Sequence, residues 1–275
     1  MPDIKVGDSQ VDDLARLAAV LAAAVREAGL LALSMFQTPL KNWTKGPTLS
    51  PVTEADIAVD NLLRERLAAA GSDIGWLSEE SVDDPARLAA RRVWIVDPID
   101  GTRAFLAGLP DWAVSAALIE NGRPILACLF APVTAELFAA RVDAGATLNG
   151  AAIAASTGAE LAQARISGPK KFLEWIAPSA PPLTVMPRVR SLALRLARVA
   201  QGALDIAVAG GNSHDWDLAA ADLLVHEAGG ALSPLAGGTV TYNRPVPRHG
   251  TLVAAGRDRH AALIKLLGDG RVAFS

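Results

Sequence analysis
Apolar side chains recur at helical spacing near the start of the chain. Leu14, Leu17, Leu21 and Val25 share one face of residues 9–36. That spacing predicts a long amphipathic helix, with Asp8 or Ser9 as its cap. A loop follows, punctuated by Pro39, Gly46, Pro47 and Pro51. Thr53-Glu54-Ala55-Asp56 has the form of a capping box and predicts a helix to about Ala70. Gly71 to Leu77 reads as a turn and a short strand, and Asp83-Asp84-Pro85 opens a short helix. Arg92–Val96 is a compact apolar strand that runs directly into Asp97-Pro98-Ile99-Asp100-Gly101-Thr102.

Residues 113–120 and 124–131 are predicted strands joined at Asn121-Gly122, a strong hairpin signal. Ala135–Arg141 adds a third, so 112–141 reads as an antiparallel meander. Beyond it the pattern alternates. Strands are predicted near 163–167, 203–209 and 251–255, and helices near 190–201, 217–228 and 258–268. The fold class is therefore α/β, with an α+β first half. A boundary near 145–160 separates an N-terminal subdomain (1–150), holding the antiparallel sheet and most of the acids, from a C-terminal α/β subdomain (151–275). The Pro-rich stretch Ala177–Pro187 reads as a loop near a substrate.

Composition narrows the function. Of 275 residues, 51% are apolar and 20% charged, enough for a sizeable core. Lys and Arg number 26 against 29 Asp and Glu, giving a net charge of −3 and no electrostatic case for a nucleic-acid polymer or an anionic membrane. Cys128 is the only cysteine, so no internal disulfide or thiolate cluster forms. It lies in the apolar run Ile125–Phe130 and reads as a small buried hydrophobe. Met1-Pro2-Asp3-Ile4-Lys5 lacks the form of a secretory signal, and Arg16, Arg26 and Glu27 interrupt the apolar stretch 14–36. A soluble, cytoplasmic protein is the expectation.

The acids collect at abrupt points. Asp97 and Asp100 follow an apolar strand, as do Glu79 and Glu80. Asp215 and Asp217 precede the helix over 217–228, and Asp56 sits in the first turn of its own. Singly, each has an ordinary structural reading: a helix cap, a dipole partner, a solvated loop or a turn. Jointly, they stand at strand ends and helix starts, where α/β proteins place ligands. Converging carboxylates repel unless a cation neutralises them, and oxygen ligands suit Mg²⁺, Mn²⁺ or Ca²⁺. Asp100-Gly101-Thr102-Arg103 adds a glycine and a helix start suited to an anion. Cation and anion sites together fit phosphoryl transfer to water. Covalent aspartyl-phosphate chemistry calls for an acid two residues before Asp100; that residue is Pro98.

These motifs resemble the inositol monophosphatase superfamily. Asp97-Pro98-Ile99-Asp100-Gly101-Thr102 is similar to its central signature, and His214-Asp215-Trp216-Asp217-Leu218-Ala219-Ala220, running on to Glu227-Ala228-Gly229-Gly230, to its C-terminal one. Val52–Asp56 and Ser78-Glu79-Glu80 match two earlier elements in the same order. The resemblance implies a layered αβαβα sandwich of the inositol monophosphatase and fructose-1,6-bisphosphatase type. It implies a Mg²⁺-dependent, lithium-sensitive phosphomonoesterase, commonly a homodimer, in which a metal-activated water attacks in line. Glu79, Asp97 and the Ile99 carbonyl would hold one ion, and Asp97, Asp100 and Asp217 a second. Glu79, with Glu80 through water, would assist a third. Two to three Mg²⁺ per site are implied, with Mn²⁺ substituting and Li⁺ and Ca²⁺ inhibiting. Thr102 and Asp56 would position and deprotonate the water, and the Gly101 and Thr102 amides would receive the phosphate.

Three details resemble the 3′(2′),5′-bisphosphate nucleotidase branch: Ser50-Pro51-Val52-Thr53, Leu77-Ser78-Glu79-Glu80 and Thr102-Arg103-Ala104-Phe105. Gly210 stands where inositol phosphatases carry a carboxylate for the polyol hydroxyls. Ser167-Gly168-Pro169-Lys170-Lys171 replaces that branch's Ser-Arg-Ser-His-like stretch. Ser167, Lys170 and Lys171 are its substrate-side positions, and the lysines either meet a second phosphate or stay solvated at a helix start. His214 either binds substrate or steadies the loop before Trp216. The expected substrate is adenosine 3′,5′-bisphosphate. Inositol 1-phosphate, histidinol phosphate and fructose 1,6-bisphosphate are the alternatives on the same site, and a catalytically silent nucleotide or metal sensor is the alternative of another class.

Overall fold
The computed structural model describes residues 6–45 and 50–269. In chain order its elements are α1 (Val6–Met35), β1 (Asn42–Lys45), β2 (Ser50–Thr53), α2 (Glu54–Ala68), β3 (Gly75–Ser78), β4 (Arg92–Asp100), α3 (Thr102–Leu106), β5 (Ala113–Glu120), β6 (Arg123–Ala131), β7 (Glu136–Arg141), β8 (Ala146–Leu148) and β9 (Ala151–Ile153). There follow β10 (Arg165–Ser167), α4 (Lys170–Ile176), β11 (Thr184–Val185), α5 (Leu192–Ala200), β12 (Ile206–Ala209), β13 (Ser213–His214), α6 (Asp215–Glu227), β14 (Gly230–Pro234), β15 (Arg248–His249), β16 (Leu252–Gly256) and α7 (Arg257–Asp269).

Two sheets organise these elements. One has seven strands in the order β3-β4-β5-β6-β7-β8-β9; the other has five, β11-β10-β12-β16-β14. Helices α1 and α2 cover one face of the larger sheet. Helices α5 and α6 lie between the two sheets, and α4 and α7 cover the outer face of the smaller one. This is the expected αβαβα sandwich.

Both faces of the central strands are buried, so their alternation divides the core in two. Trp94, Val96, Val114, Ala116, Leu118, Leu126, Cys128 and Phe130 point to α1 and α2. Val93, Ile95, Ala113, Ala117, Ile119, Ala127 and Leu129 point to α5 and α6. The period of two in a strand makes this split automatic. The meander is therefore core on both sides. By length and composition, Asp12–Met35 is apolar enough to cross a membrane. Leu17, Leu21, Val25, Ala28 and Ala32 are fully buried against the sheet, which makes it a core helix.

The predicted elements recur with small shifts, and Thr53 and Asp56 do form a capping box. Helix α1 begins at Val6, ahead of the cap expected at Asp8 or Ser9. Gly46, Pro47 and Met1–Lys5 lie outside the described residues. Helix α4, of seven residues, is read from the sequence only as a helix start at Lys170 and Lys171, and β14, of five, is not read at all; both are short for periodicity to reveal.

Candidate active site
The acids meet because of three local devices. The first is strand register. Parallel β3 and β4 pair Ser78 with Val96, which brings Glu79 level with Asp97 at their ends. The second is a bulge. Asp97 pairs with Ser115 and Asp100 with Ala113, so β4 carries one residue more than β5 across this step. Residues three apart point to opposite faces of a regular strand; the extra residue turns both acids to the same side.

The third device is the helix N-terminus, used three times. Asp56 Oδ2 accepts from Thr53 N at 2.8 Å and from Thr53 Oγ1 at 2.6 Å. Asp217 Oδ2 accepts from His214 N at 2.6 Å, closing the capping box of α6. Asp100 Oδ2 accepts from Ser191 Oγ and Ala193 N, both at 2.6 Å, at the start of α5. In each carboxylate one oxygen is anchored to a helix start; the second oxygens of Asp100 and Asp217 remain for the cleft, and that of Asp56 accepts from the Thr102 hydroxyl. Capping and function are not competing readings of these acids; one side chain does both.

Glu79, Asp97, Ile99, Asp100, Gly101, Thr102 and Asp217 line a cleft of about 670 Å³ together with Ser50, Pro51, Arg103, Pro187, Arg188 and Arg190. Each of Asp97, Asp100 and Asp217 offers a carboxylate oxygen within 4.8 Å of the others. Asp97 Oδ1 is buried without a hydrogen-bond partner. Burial, and then Glu79, Asp100, Asp217 and Asp56 around it, hold the Asp97 carboxyl well above its ordinary range. Asp217 is pushed the same way by burial, Asp100 and Glu79. Burial raises Asp100 and Glu79 too; hydrogen bonds from α5 oppose the shift at Asp100, and Lys45 opposes it at Glu79. An unpartnered buried oxygen among like charges, with only oxygen donors, fits a hard divalent cation.

Thr102 Oγ1 lies 3.2 Å from Asp56 Oδ1 and 3.1 Å from the Ile99 carbonyl. Burial pushes Asp56 up to about 6, with the Thr53 bonds pulling against it. Gly101 adopts φ +97°, and a Cβ there would stand 3.1 Å from the Asp111 carbonyl. A Gly101→Ala substitution is expected to cost about 1–3 kcal/mol of stability, read as a lower midpoint in urea.

Other contacts had no sequence signal or a faint one. Lys45 Nζ is 2.6 Å from Glu80 Oε1, 3.3 Å from Glu79 Oε1 and 2.9 Å from the Glu79 carbonyl. Glu80 is thus tied to a lysine. Asp60, one turn after Asp56, receives Ser78 Oγ at 2.5 Å and Ser81 Oγ at 2.6 Å. It clamps both ends of the turn that carries Glu79 and Glu80. Its i, i+4 spacing from Asp56 was readable. An Asp60→Asn variant is expected to raise the Mg²⁺ needed for half-maximal activity about tenfold or more, with a smaller effect at saturating metal.

The substrate-side expectations fare differently. Lys170 and Lys171 do not line the cleft. The Lys170 side chain is 88% exposed and 3.5 Å from Glu174 on its own helix, so a solvated helix start describes it. Ser167 is buried, its hydroxyl donating to the Pro187 carbonyl at 3.3 Å. His214 is absent from the cleft lining and stacks on Trp216 with ring centroids 4.5 Å apart. The cleft's basic residues are Arg103, Arg188 and Arg190, and Pro187 from the Pro-rich loop stands beside them.

A layered sandwich with buried carboxylates gathered at one cleft defines a protein built to hold a divalent cation. Comparison with known proteins specifies it further. The model of the inositol monophosphatase family matches residues 13–270. A histidinol-phosphatase of Mycobacterium tuberculosis is 37% identical over 203 residues, 70% of this chain and 76% of that one. The 3′(2′),5′-bisphosphate nucleotidase CysQ of Haemophilus influenzae is 29% identical over 215 residues, 71% and 76% of the two chains. The crystal structure of the extragenic suppressor protein suhB from Bartonella henselae superposes with a TM-score of 0.79 at 28% identity, covering 92% of this chain and 98% of that one. The chain belongs to the inositol monophosphatase family. Within it, it is a metal-dependent phosphatase.

Proposed function
We propose that the protein hydrolyses adenosine 3′,5′-bisphosphate to AMP and phosphate with Mg²⁺ as cofactor. The observation that carries the chemistry is the unpartnered Asp97 Oδ1 beside the Asp100 and Asp217 carboxylates. Asp97, Asp100, Asp217, Glu79 and the Ile99 carbonyl would hold the cations. Bound there, Mg²⁺ supplies positive charge to the phosphate oxygens and acidity to a water. The chain's own groups do the rest. Gly101 and Thr102 open α3, where the first amides of a helix lack internal partners and can receive phosphate oxygens. The Thr102 hydroxyl orients the attacking water, and the Asp56 carboxylate takes its proton through that hydroxyl. An elevated pKa makes Asp56 a better base than an exposed aspartate. In-line attack forms the new P–O bond as the ester P–O bond breaks, and the leaving oxygen takes a proton from solvent and departs as the alcohol, without a covalent enzyme intermediate.

The substrate choice rests on Ser78, the Thr102–Phe105 run and Gly210, which offers no carboxylate for polyol hydroxyls. The M. tuberculosis relative supports a second reading, histidinol phosphate. Lithium sensitivity and a homodimeric working form come with the family likeness. Phosphate release from adenosine 3′,5′-bisphosphate, inositol 1-phosphate and histidinol phosphate, each with Mg²⁺ and with and without Li⁺, tests the choice. A strong preference for the nucleotide, inhibited by Li⁺, is expected. A higher kcat/KM on either other ester overturns the substrate and leaves the chemistry standing.

A further inference from the structure
The floor of the cleft is acidic, yet its wall is basic. Arg103, Arg188 and Arg190 line the same cavity as Glu79, Asp97, Asp100 and Asp217. The three arginines differ in their surroundings. Arg190 is answered by Asp111, with Nη1 3.4 Å from Oδ2. Among the described residues the side chains of Arg103 and Arg188 make no hydrogen bond or ion pair. Arg188 also lies near enough to Arg195 to oppose its charge: burial and then Arg188 bring the Arg195 guanidinium down to about 10. A cation on the wall of a cleft, beside another cation and with no carboxylate paired to it, is poised for an external anion.

The backbone under Arg188 is fixed on both sides. Before it, Met186 N donates to the Ile166 carbonyl at 2.8 Å, and Ser167 Oγ donates to the Pro187 carbonyl at 3.3 Å. After it, Arg190 N donates to Asp111 Oδ2 at 2.7 Å and Ser191 N to the Asp111 carbonyl at 3.1 Å. Pro187 adds its own fixed φ. Ligand binding there orders a side chain only, which keeps the entropic cost small.

We propose that Arg188, with Arg103, forms a subsite for a second phosphate carried on the leaving group of the substrate. The subsite rests on the phosphomonoesterase reading and decides which ester it serves. A guanidinium matches phosphate oxygens in a paired geometry. A cleft of about 670 Å³ has room for a nucleotide beyond the reacting phosphate. The same charge repels a leaving group that carries an ammonium, as histidinol phosphate does, and gains nothing from a neutral polyol.

The test compares kcat/KM on adenosine 3′,5′-bisphosphate, inositol 1-phosphate and histidinol phosphate for the wild type, Arg188→Ala, Arg188→Lys and Arg188→Glu. Arg188→Ala is expected to raise KM for the bisphosphate about ten- to hundredfold, with kcat moving less than about threefold. Its preference for the bisphosphate over inositol phosphate falls by about the same factor. Arg188→Lys restores part of the loss, and Arg188→Glu shifts selectivity toward histidinol phosphate. Equal losses on all three esters, or an unmoved KM for the bisphosphate, overturn the subsite. A wild type that cleaves inositol phosphate but not the bisphosphate overturns it too. A wild type that releases phosphate from none of them defeats the phosphomonoesterase reading itself.

Discussion
An Asp97→Asn variant is expected to lose at least about a thousandfold in kcat, because losing several kcal/mol of cation-based charge stabilisation multiplies out to that factor. It is also expected to stay folded. Asp97 is fully buried in a group of mutually repelling acids, and its Oδ1 makes no hydrogen bond for the substitution to break. Removing one charge relieves that repulsion. The metal-free variant should therefore melt at or above the wild-type temperature while its Mg²⁺-dependent rise disappears. Steady-state kinetics and paired melting curves, with Mg²⁺ and with chelator, read both effects. Near-normal turnover in the folded variant would falsify the assignment of Asp97 to the metal.

The second large effect concerns pH and metal together. Asp56, Glu79, Asp97, Asp100 and Asp217 all have carboxyl pKa values raised by folding, with burial as the first cause. The folded state then binds their protons more tightly than the unfolded chain. Metal-free stability is fullest when these groups are protonated and falls as pH rises through the raised values. For Asp56 that window runs from the ordinary 3.8 to about 6; Asp97 and Asp217, also raised by burial and by their acidic neighbours, act in the same direction. Bound Mg²⁺ replaces the protons, so its stabilisation grows with pH. At a hundredfold excess over Kd, linkage gives about 2.7 kcal/mol, or roughly 5 °C in Tm for a chain of this size. Melting curves from pH 5 to 8, with Mg²⁺ and with chelator, should diverge as pH rises. Parallel curves across that range would mean that the acids do not share a cation.

The acids of this site were legible because strand and helix carry them next to strong signals. Asp97 and Asp100 adjoin an apolar strand, and Asp56 and Asp217 stand at helix starts. The bulge that aligns Asp97 with Asp100 left no trace in the pattern, since it depends on pairing with β5. Lys45, Asp60 and Ser191 act on the acids from elements that only the tertiary fold brings near. The lysines at 170 and 171 misled because closeness to Ser167 in sequence does not carry them to the cleft. The chain turns into α4 at once, whereas Ser167 reaches across to Pro187 and the arginine that follows it. Asp56 and Asp217, which cap their own helices, are fixed by local sequence; the anchor of Asp100 at the start of α5 and the arginines of the cleft wall are placed by tertiary packing, which local pattern does not encode.

The central claim is that the acid cluster binds a divalent cation on which phosphate release depends. The most direct measurement titrates Mg²⁺ into chelator-treated protein and follows calorimetric binding and phosphate release in parallel. Both should rise over the same concentration range in the wild type, and both should be lost in Asp97→Asn and Asp217→Asn. Phosphate release that ignores chelation, or Mg²⁺ binding that survives both substitutions, would contradict the account.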